Sequence, residues 1–346
     1  MRNTPHRIRR AGTEPSGLLQ SLTDKIVGQD GALEQIVPYV EMYHAGLAPE
    51  GRPVGVFLLL GPTGTGKTRT VEALAGALHG NEKALLRVDC GEFQMEHEVA
   101  KLIGAPPGYL GHRETTPMLT QAKLNAVTSE TSNLSIVLFD EIEKAAPSLN
   151  RLLLGVLDKA TLKLGDNSTV NFERTIIFLT SNLGARGMNR ELHPTFGFEA
   201  LTERPKQEVG RKLEQIAMQA VKKRFTPEFV NRIDVINTYM PLDGPALDRI
   251  LDHQVADFQR HIRTRLGQDA FYVELTKGAR EFLLRNGTSE EFGARELKRT
   301  IHRHLVQPIA SLVARGEVEP GSIVLADCRR NQTMLSLRCM LDEEAA

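Results

Sequence analysis

The sequence predicts an α/β fold: a large domain built on a mostly parallel sheet, followed by a smaller α+β domain. Three observations lead there. Four short aliphatic and β-branched runs, Val54–Leu60, Ala84–Val88, Ile136–Phe139 and Thr175–Leu179, have strand length and alternate with stretches of helical periodicity. A glycine-rich loop joins the first run directly to a helix. Near Met240-Pro241-Leu242-Asp243-Gly244-Pro245, two prolines and a glycine within five residues mark a linker, and a second set of elements follows. With 346 residues the chain has room for about two domains of roughly 150 residues.

Taken in order, residues 1–20 show little periodicity and read as a solvated, disordered basic tail. A helix is predicted over Ala32–Tyr43 and another over Lys67–Leu78, where Val71, Leu74, Ala75 and Leu78 recur at helical spacing. The strand runs are near-continuously apolar, as strands of a parallel sheet covered on both faces must be. Residues 206–225 form an amphipathic helix with Val209, Leu213, Ile216, Ala217, Ala220 and Val221 on one face. After the linker, Leu247, Ile250, Leu251, Val255, Phe258 and Ile262 mark a helix. A strand follows over Phe271–Leu275, then helices over 277–285 and 293–314, then strands over Ser322–Ala326 and Met334–Cys339. The large domain is placed at 21–240 and the small one at 241–346.

Forty-three basic residues balance forty-three acidic ones, so no global charge draws the chain to nucleic acid or anionic lipid. Cys90, Cys328 and Cys339 have no Cys-x-x-Cys or zinc spacing and read as buried apolar residues of a reducing compartment. The longest apolar run, Val54–Leu60, is far short of the ~20 residues a membrane span needs. The basic amino terminus lacks the apolar stretch of a signal peptide. A cytoplasmic protein with neither a membrane nor a nucleic-acid partner is expected.

The chemistry gathers at strand ends. Gly61-Pro62-Thr63-Gly64-Thr65-Gly66-Lys67-Thr68 fits G-x-x-x-x-G-K-[ST] between a predicted strand and a predicted helix. Glycines let successive backbone N–H groups face a phosphate, and the helix that follows offers its free N–H groups and positive dipole end. Lys67 would reach the β- and γ-phosphates, and Thr68 would coordinate Mg²⁺. The bland alternative is a glycine-rich turn without a ligand. The strand Ile136–Phe139 ends in Asp140 and Glu141. Asp140 would hold the Mg²⁺ shell and Glu141 would polarise water as general base, or both would simply meet solvent. Thr180-Ser181-Asn182 ends the fourth run likewise. The Asn182 amide, donor and acceptor at once, can orient that water or form a turn.

In this order the motifs resemble the Clp family of AAA+ ATPases, and specifically the second ATPase module of ClpB, ClpA and ClpC with its small domain. The likeness runs from about Ile26 to Gly321 and rests on GRPVGVFLLLGPTGTGKT, LIGAPPGYLG, LFDEIEKAAP, TSNLGA, FTPEFVNRID and FGARELKR. It implies an AAA+ P-loop NTPase large domain that binds ATP and Mg²⁺, with Ile26 and Val27 against adenine. It implies an arginine finger at Arg232, directed at a neighbouring subunit's nucleotide, and a sensor arginine at Arg295. From their neighbours alone, these two would be a surface ion-pair residue and a helix-start arginine. It also implies that Tyr109 and Leu110, in a Pro- and Gly-flanked loop, line a pore and grip polypeptide, where locally a tyrosine tucked against the domain would serve as well. Phe196-Gly197-Phe198 resembles a tripeptide that docks a ClpP-like peptidase, and the same region resembles a stretch that docks none.

The function implied is an ATP-dependent unfoldase or disaggregase. It would assemble as a homo-oligomeric, hexameric ring and thread unfolded or aggregated proteins. The alternatives are the ATPase subunit of a Clp-type protease, a nucleotide-gated scaffold, and a nucleic-acid remodeller. Three departures from the family stand out. His112-Arg113-Glu114-Thr115-Thr116 follows the loop tyrosine, Glu41-Met42-Tyr43-His44 replaces an Arg-rich stretch, and Lys159-Ala160-Thr161-Leu162-Lys163 replaces an Asp-Gly-rich turn. His302 and His304, at i and i+2 on a predicted helix, make a poor metal pair, and the Lys298–His304 cluster reads as a solvated face.

Overall fold

The computed structural model describes residues 15–104, 117–192, 206–288, 293–329 and 332–340. It divides into two compact units, one reaching Gly61 and running from Gly66 to Tyr239, the other running from Met240 and including Pro62–Thr65.

The first unit holds strands β1 (Gly55–Leu60), β2 (Leu86–Asp89), β3 (Ser135–Asp140), β4 (Thr161–Lys163), β5 (Thr169–Asn171), β6 (Thr175–Ser181) and β7 (Val235–Thr238). Five of them form one sheet in the order β2-β3-β6-β1-β7, every pair parallel. The three central strands are buried along their whole length, which is why their sequences carry no alternation. Phe57 stacks on Phe178 across β1 and β6, with ring centroids 5.2 Å apart. Helices Asp30–His44 and Lys67–His79 pack their Leu33, Ile36, Val71 and Leu74 into the same core.

Two strand features escaped the sequence pattern. β7 is four residues long and buries only Asn237, so it carries no apolar signal. It is anchored by Asp234, which accepts from the Val56 backbone N–H (2.8 Å) and pairs with Arg52. The hairpin β4–β5 buries one residue per strand, Leu162 and Val170. It follows a helix that ends on Ala160 in the left-handed conformation, in the segment that departs from the family turn.

The expected tail over 1–20 needs correction. A helix spans Pro15–Thr23, and its Leu18 and Leu22 are buried, so apolar spacing too short to register as a pattern still docks on the core.

The second unit holds β8 (Tyr272–Leu275), β9 (Ile323–Asp327) and β10 (Ser336–Met340), with β8–β9 parallel and β9–β10 antiparallel. The expected linker is partly a helix start. Asp243 accepts from the Ala246 N–H (3.0 Å) and caps the helix Gly244–Leu266. The helix expected over 293–314 is interrupted by a π-turn at His302–Val306, before Gln307–Ala314. Pro308 lacks the N–H an unbroken ladder would need. Cys90 and Cys328 are buried as expected, but Cys339 is exposed because β10 is a half-covered edge strand.

Candidate functional site

Because the five strands of the first sheet run parallel, their carboxyl ends open on one edge, where such sheets place ligands. The register sets Leu60 beside Ser181 and Phe139 beside Leu179. Gly61, Asn182 and the pair Asp140 and Glu141 therefore leave three adjacent strand ends, with Asn182 in the middle.

Gly61 has φ +144°, and a Cβ there would lie 2.6 Å from the Tyr239 carbonyl oxygen, so only glycine allows this approach. Gly66, at φ +104°, opens the helix Lys67–His79, and space beside it is clear to 4 Å. The Thr65 hydroxyl donates to the Pro62 carbonyl (2.9 Å). Thr68 lies half-buried in the first turn. Lys67 is 7% exposed, and its ammonium donates to the Gly61 carbonyl (2.8 Å) and to Asn182 Oδ1 (3.0 Å).

Asn182 uses its amide as a bridge: Oδ1 accepts from Lys67 while Nδ2 donates to Glu141 Oε1 (3.2 Å). Its backbone N–H donates to Glu143 Oε1 (3.0 Å). Glu141 sits at φ +56°, uncommon for a residue with a Cβ and a form of strain that clusters at functional sites. Its carboxylate also pairs with Lys144, a hydrogen bond and charge that raise the lysine's pKa. Asp140, 8% exposed, is gripped from both neighbouring strands. The Thr180 hydroxyl of β6 donates to Oδ1, and Arg87 of β2 pairs with Oδ2. The Thr180 hydroxyl also accepts from the Glu141 N–H (3.0 Å), so one hydroxyl fixes both acids.

Several of these partners were invisible in the sequence. Arg87 carried a signal, a charge inside an otherwise apolar strand run. Tyr239 carried none, yet its fully buried phenol donates to Thr70 Oγ1 (2.9 Å), which donates on to the Gly66 carbonyl (3.1 Å). Burial pushes that phenol's pKa up, so it stays a donor. Arg224 donates to the carbonyls of Glu143 (2.7 Å) and Ala145 (3.1 Å), tying the helix Lys206–Arg224 to the acidic turn.

Ile26 and Val27 are buried, with Ile26 in the apolar core. Arg232 donates to the Glu228 carbonyl (2.8 Å) and pairs with Glu228 (3.2 Å) and Asp158 (3.7 Å) of its own chain. Arg295, in the second unit, is exposed in the first turn of the helix Ala294–Ile301. With Lys298, Arg299, His302 and Arg303 it lines an open groove of about 540 Å³. Tyr109, Leu110 and Phe196-Gly197-Phe198 lie outside the described residues.

A glycine cradle, a buried ammonium and a helix amino terminus suit a polyphosphate. Asp140 and Thr68 supply hard oxygen donors of the kind Mg²⁺ takes beside phosphates, so the residues fit a magnesium nucleotide. Fold and site thus define a P-loop nucleotide-binding α/β protein.

Residues 52–236 match the AAA domain (Cdc48 subfamily), and residues 242–326 match the C-terminal, D2-small domain of ClpB protein. The chain belongs to the AAA family, as a Clp-type second ATPase module. It is 38% identical over 310 residues to the chaperone protein ClpB of Aquifex aeolicus, covering 90% of this chain and 29% of that protein. It is 33% identical over 320 residues to the negative regulator of genetic competence ClpC/MecB of Bacillus subtilis, covering 92% and 38%. A solved structure of the S. cerevisiae Hsp104:casein complex in an extended conformation superposes with a TM-score of 0.80 at 27% identity, covering 96% of this chain and 53% of that one. The chain therefore spans about a third of the curated relatives' length and about half of that structure.

Among the described residues no helix is long and apolar enough to cross a membrane.

Proposed function

We propose that the protein is an ATP-dependent protein-remodelling ATPase, an unfoldase or disaggregase, acting as a homo-oligomeric ring of six in the cytoplasm on unfolded or aggregated proteins. The observation that supports the reading is the chain Lys67–Asn182–Glu141, which links the lysine that would bind phosphate to the acid that would activate water. The likeness to ClpB, ClpC and an Hsp104:casein complex supports a polypeptide substrate. In this reading residues 21–240 form the ATPase domain and 241–346 the small domain.

Gly61 to Thr68 would cradle the phosphates of ATP, Thr68 and Asp140 would hold Mg²⁺, and Ile26 and Val27 would face adenine. The metal would neutralise charge on the phosphates. Glu141, oriented by Asn182, would take a proton from the attacking water. Arg232 of a neighbouring subunit would complete the site, and Arg295 would couple hydrolysis to the small domain. Tyr109 and Leu110 would grip the substrate in the pore. Docking of a ClpP-like peptidase through Phe196-Gly197-Phe198 belongs to a second assembly, tested by adding such a peptidase.

The test is ATP-driven unfolding of a tagged fluorescent protein. Glu141→Gln should retain nucleotide binding, lose about 10²–10⁴-fold in hydrolysis, and stop unfolding. Tyr109→Ala should stop unfolding and spare hydrolysis. Unfolding that survives Tyr109→Ala defeats threading.

A further inference from the structure

We infer that Arg87 is the resident counter-cation of Asp140, and that the metal arriving with nucleotide takes its place. The inference rests on the nucleotide reading above and concerns what Asp140 does before the metal comes. A carboxylate at 8% exposure is costly to hold out of water unless a cation or strong donors meet it. Asp140 has both. The β2–β3 register pairs Arg87 with Leu138 and Asp89 with Asp140. Arg87 therefore shares the sheet face of Asp140, and its long side chain runs two residues along that face to reach Oδ2.

The two clamps on Asp140 differ in their freedom to leave. Thr180 is 1% exposed, and its hydroxyl serves Asp140 and the Glu141 N–H together, so releasing it would strand a buried donor and acceptor. The Arg87 side chain is 51% exposed and can swing to water. A guanidinium and a divalent ion on the same carboxylate edge repel each other at low dielectric. Cation therefore exchanges for cation: Arg87 holds the Asp140 carboxylate aimed along the sheet face, and departs when Mg²⁺ enters. Arg87 is thus a positioning residue whose bond must be broken for the metal to bind.

The test is a Mg²⁺ titration of the full chain saturated with ADP, read by thermal melting and by fluorescence of a labelled ADP. Arg87→Gln should bind Mg²⁺ roughly tenfold more tightly, the effect of removing one charge-assisted competitor. It should melt below the parent in EDTA and regain the difference when Mg²⁺ is added. Arg87→Lys, a shorter cation that keeps the charge, should fall between, and decides the matter should Arg87→Gln fail to fold. An unchanged or weakened Mg²⁺ midpoint in the variants, with ADP still bound, overturns the exchange alone. A parent chain that binds no ADP with or without Mg²⁺ overturns the nucleotide reading and the exchange with it.

Discussion

Asp140 at the end of β3 and Asp327 at the end of β9 share one local device. In the first unit the Thr180 hydroxyl donates to Asp140 and accepts from the Glu141 N–H. In the second, the Thr276 hydroxyl donates to Asp327 (2.6 Å) and accepts from the Ala279 N–H (3.2 Å), capping the helix Lys277–Gly287. The chemistry within reach is the same: one acid, one hydroxyl relay, one backbone donor. What differs is the neighbourhood the topology supplies. Asp140 ends a central parallel strand, beside the strand ends that deliver Asn182 and Gly61, and it is nearly buried. Asp327 ends a strand whose other neighbour, β10, runs antiparallel, so no second set of strand ends collects beside it. A strand-end acid becomes a site when parallel neighbours converge on it, and remains a helix brace when they do not.

The largest effect should come from outside either relay. If the polar edge of the first sheet is completed by another copy, Arg232→Ala should lower hydrolysis by about 10³–10⁵-fold while ADP binding persists. Mixing Arg232→Ala with Glu141→Gln subunits should restore part of the rate, since each supplies what the other lacks. Turnover per subunit that stays constant on dilution past the point of disassembly would falsify completion in trans. Arg232 pairs with Glu228 and Asp158 of its own chain, so a role in trans would require it to leave those partners.

A smaller effect separates the two relays directly. Thr180→Val removes the hydroxyl that fixes both acids and should cost roughly 10–100-fold in metal affinity or hydrolysis, as loss of a ligand-orienting group does. Thr276→Val should leave hydrolysis unchanged and cost about 0.5–2 kcal/mol of stability, the range for a lost helix cap. Melting curves and ATPase rates on the same two proteins check both expectations.

The contrast also marks what the sequence could and could not reveal. Gly61–Thr68, Asp140, Glu141 and Asn182 were legible because each sits at a fixed offset from an apolar run, and the run announces the strand end. The central strands were legible for the same reason. β7 was not, because an edge strand with one buried residue has no pattern to detect. Tyr239, Thr180 and Arg87 were not assigned because their roles depend on which strands become neighbours, and order β2-β3-β6-β1-β7 is not written in any local spacing. The helix Pro15–Thr23 was missed because two buried leucines in nine residues fall below the threshold of a periodic signal.

The smallest effect is an acid one, confined to the second unit. The hydrogen bond from Thr276, followed by the Cys328 N–H and the charges of Arg329 and Arg338, lowers the Asp327 pKa from its ordinary 3.8. A carboxylate whose folded pKa lies below its unfolded value adds stability at pH above the unfolded value and loses it as pH falls through the folded one. Between pH 7 and the ordinary carboxylate range the contribution is therefore flat, and it fades only below 3.8. Asp327→Asn keeps an acceptor for Thr276 but cannot titrate. The variant should melt slightly below the parent at neutral pH, where it lacks the charge-assisted bond, and the gap should close as the pH is taken below 3.8. Melting temperatures of parent and variant across that range measure the gap. A gap that stays constant into acid would mean the Thr276 bond is indifferent to the charge on Asp327, and the brace would then be a matter of shape alone.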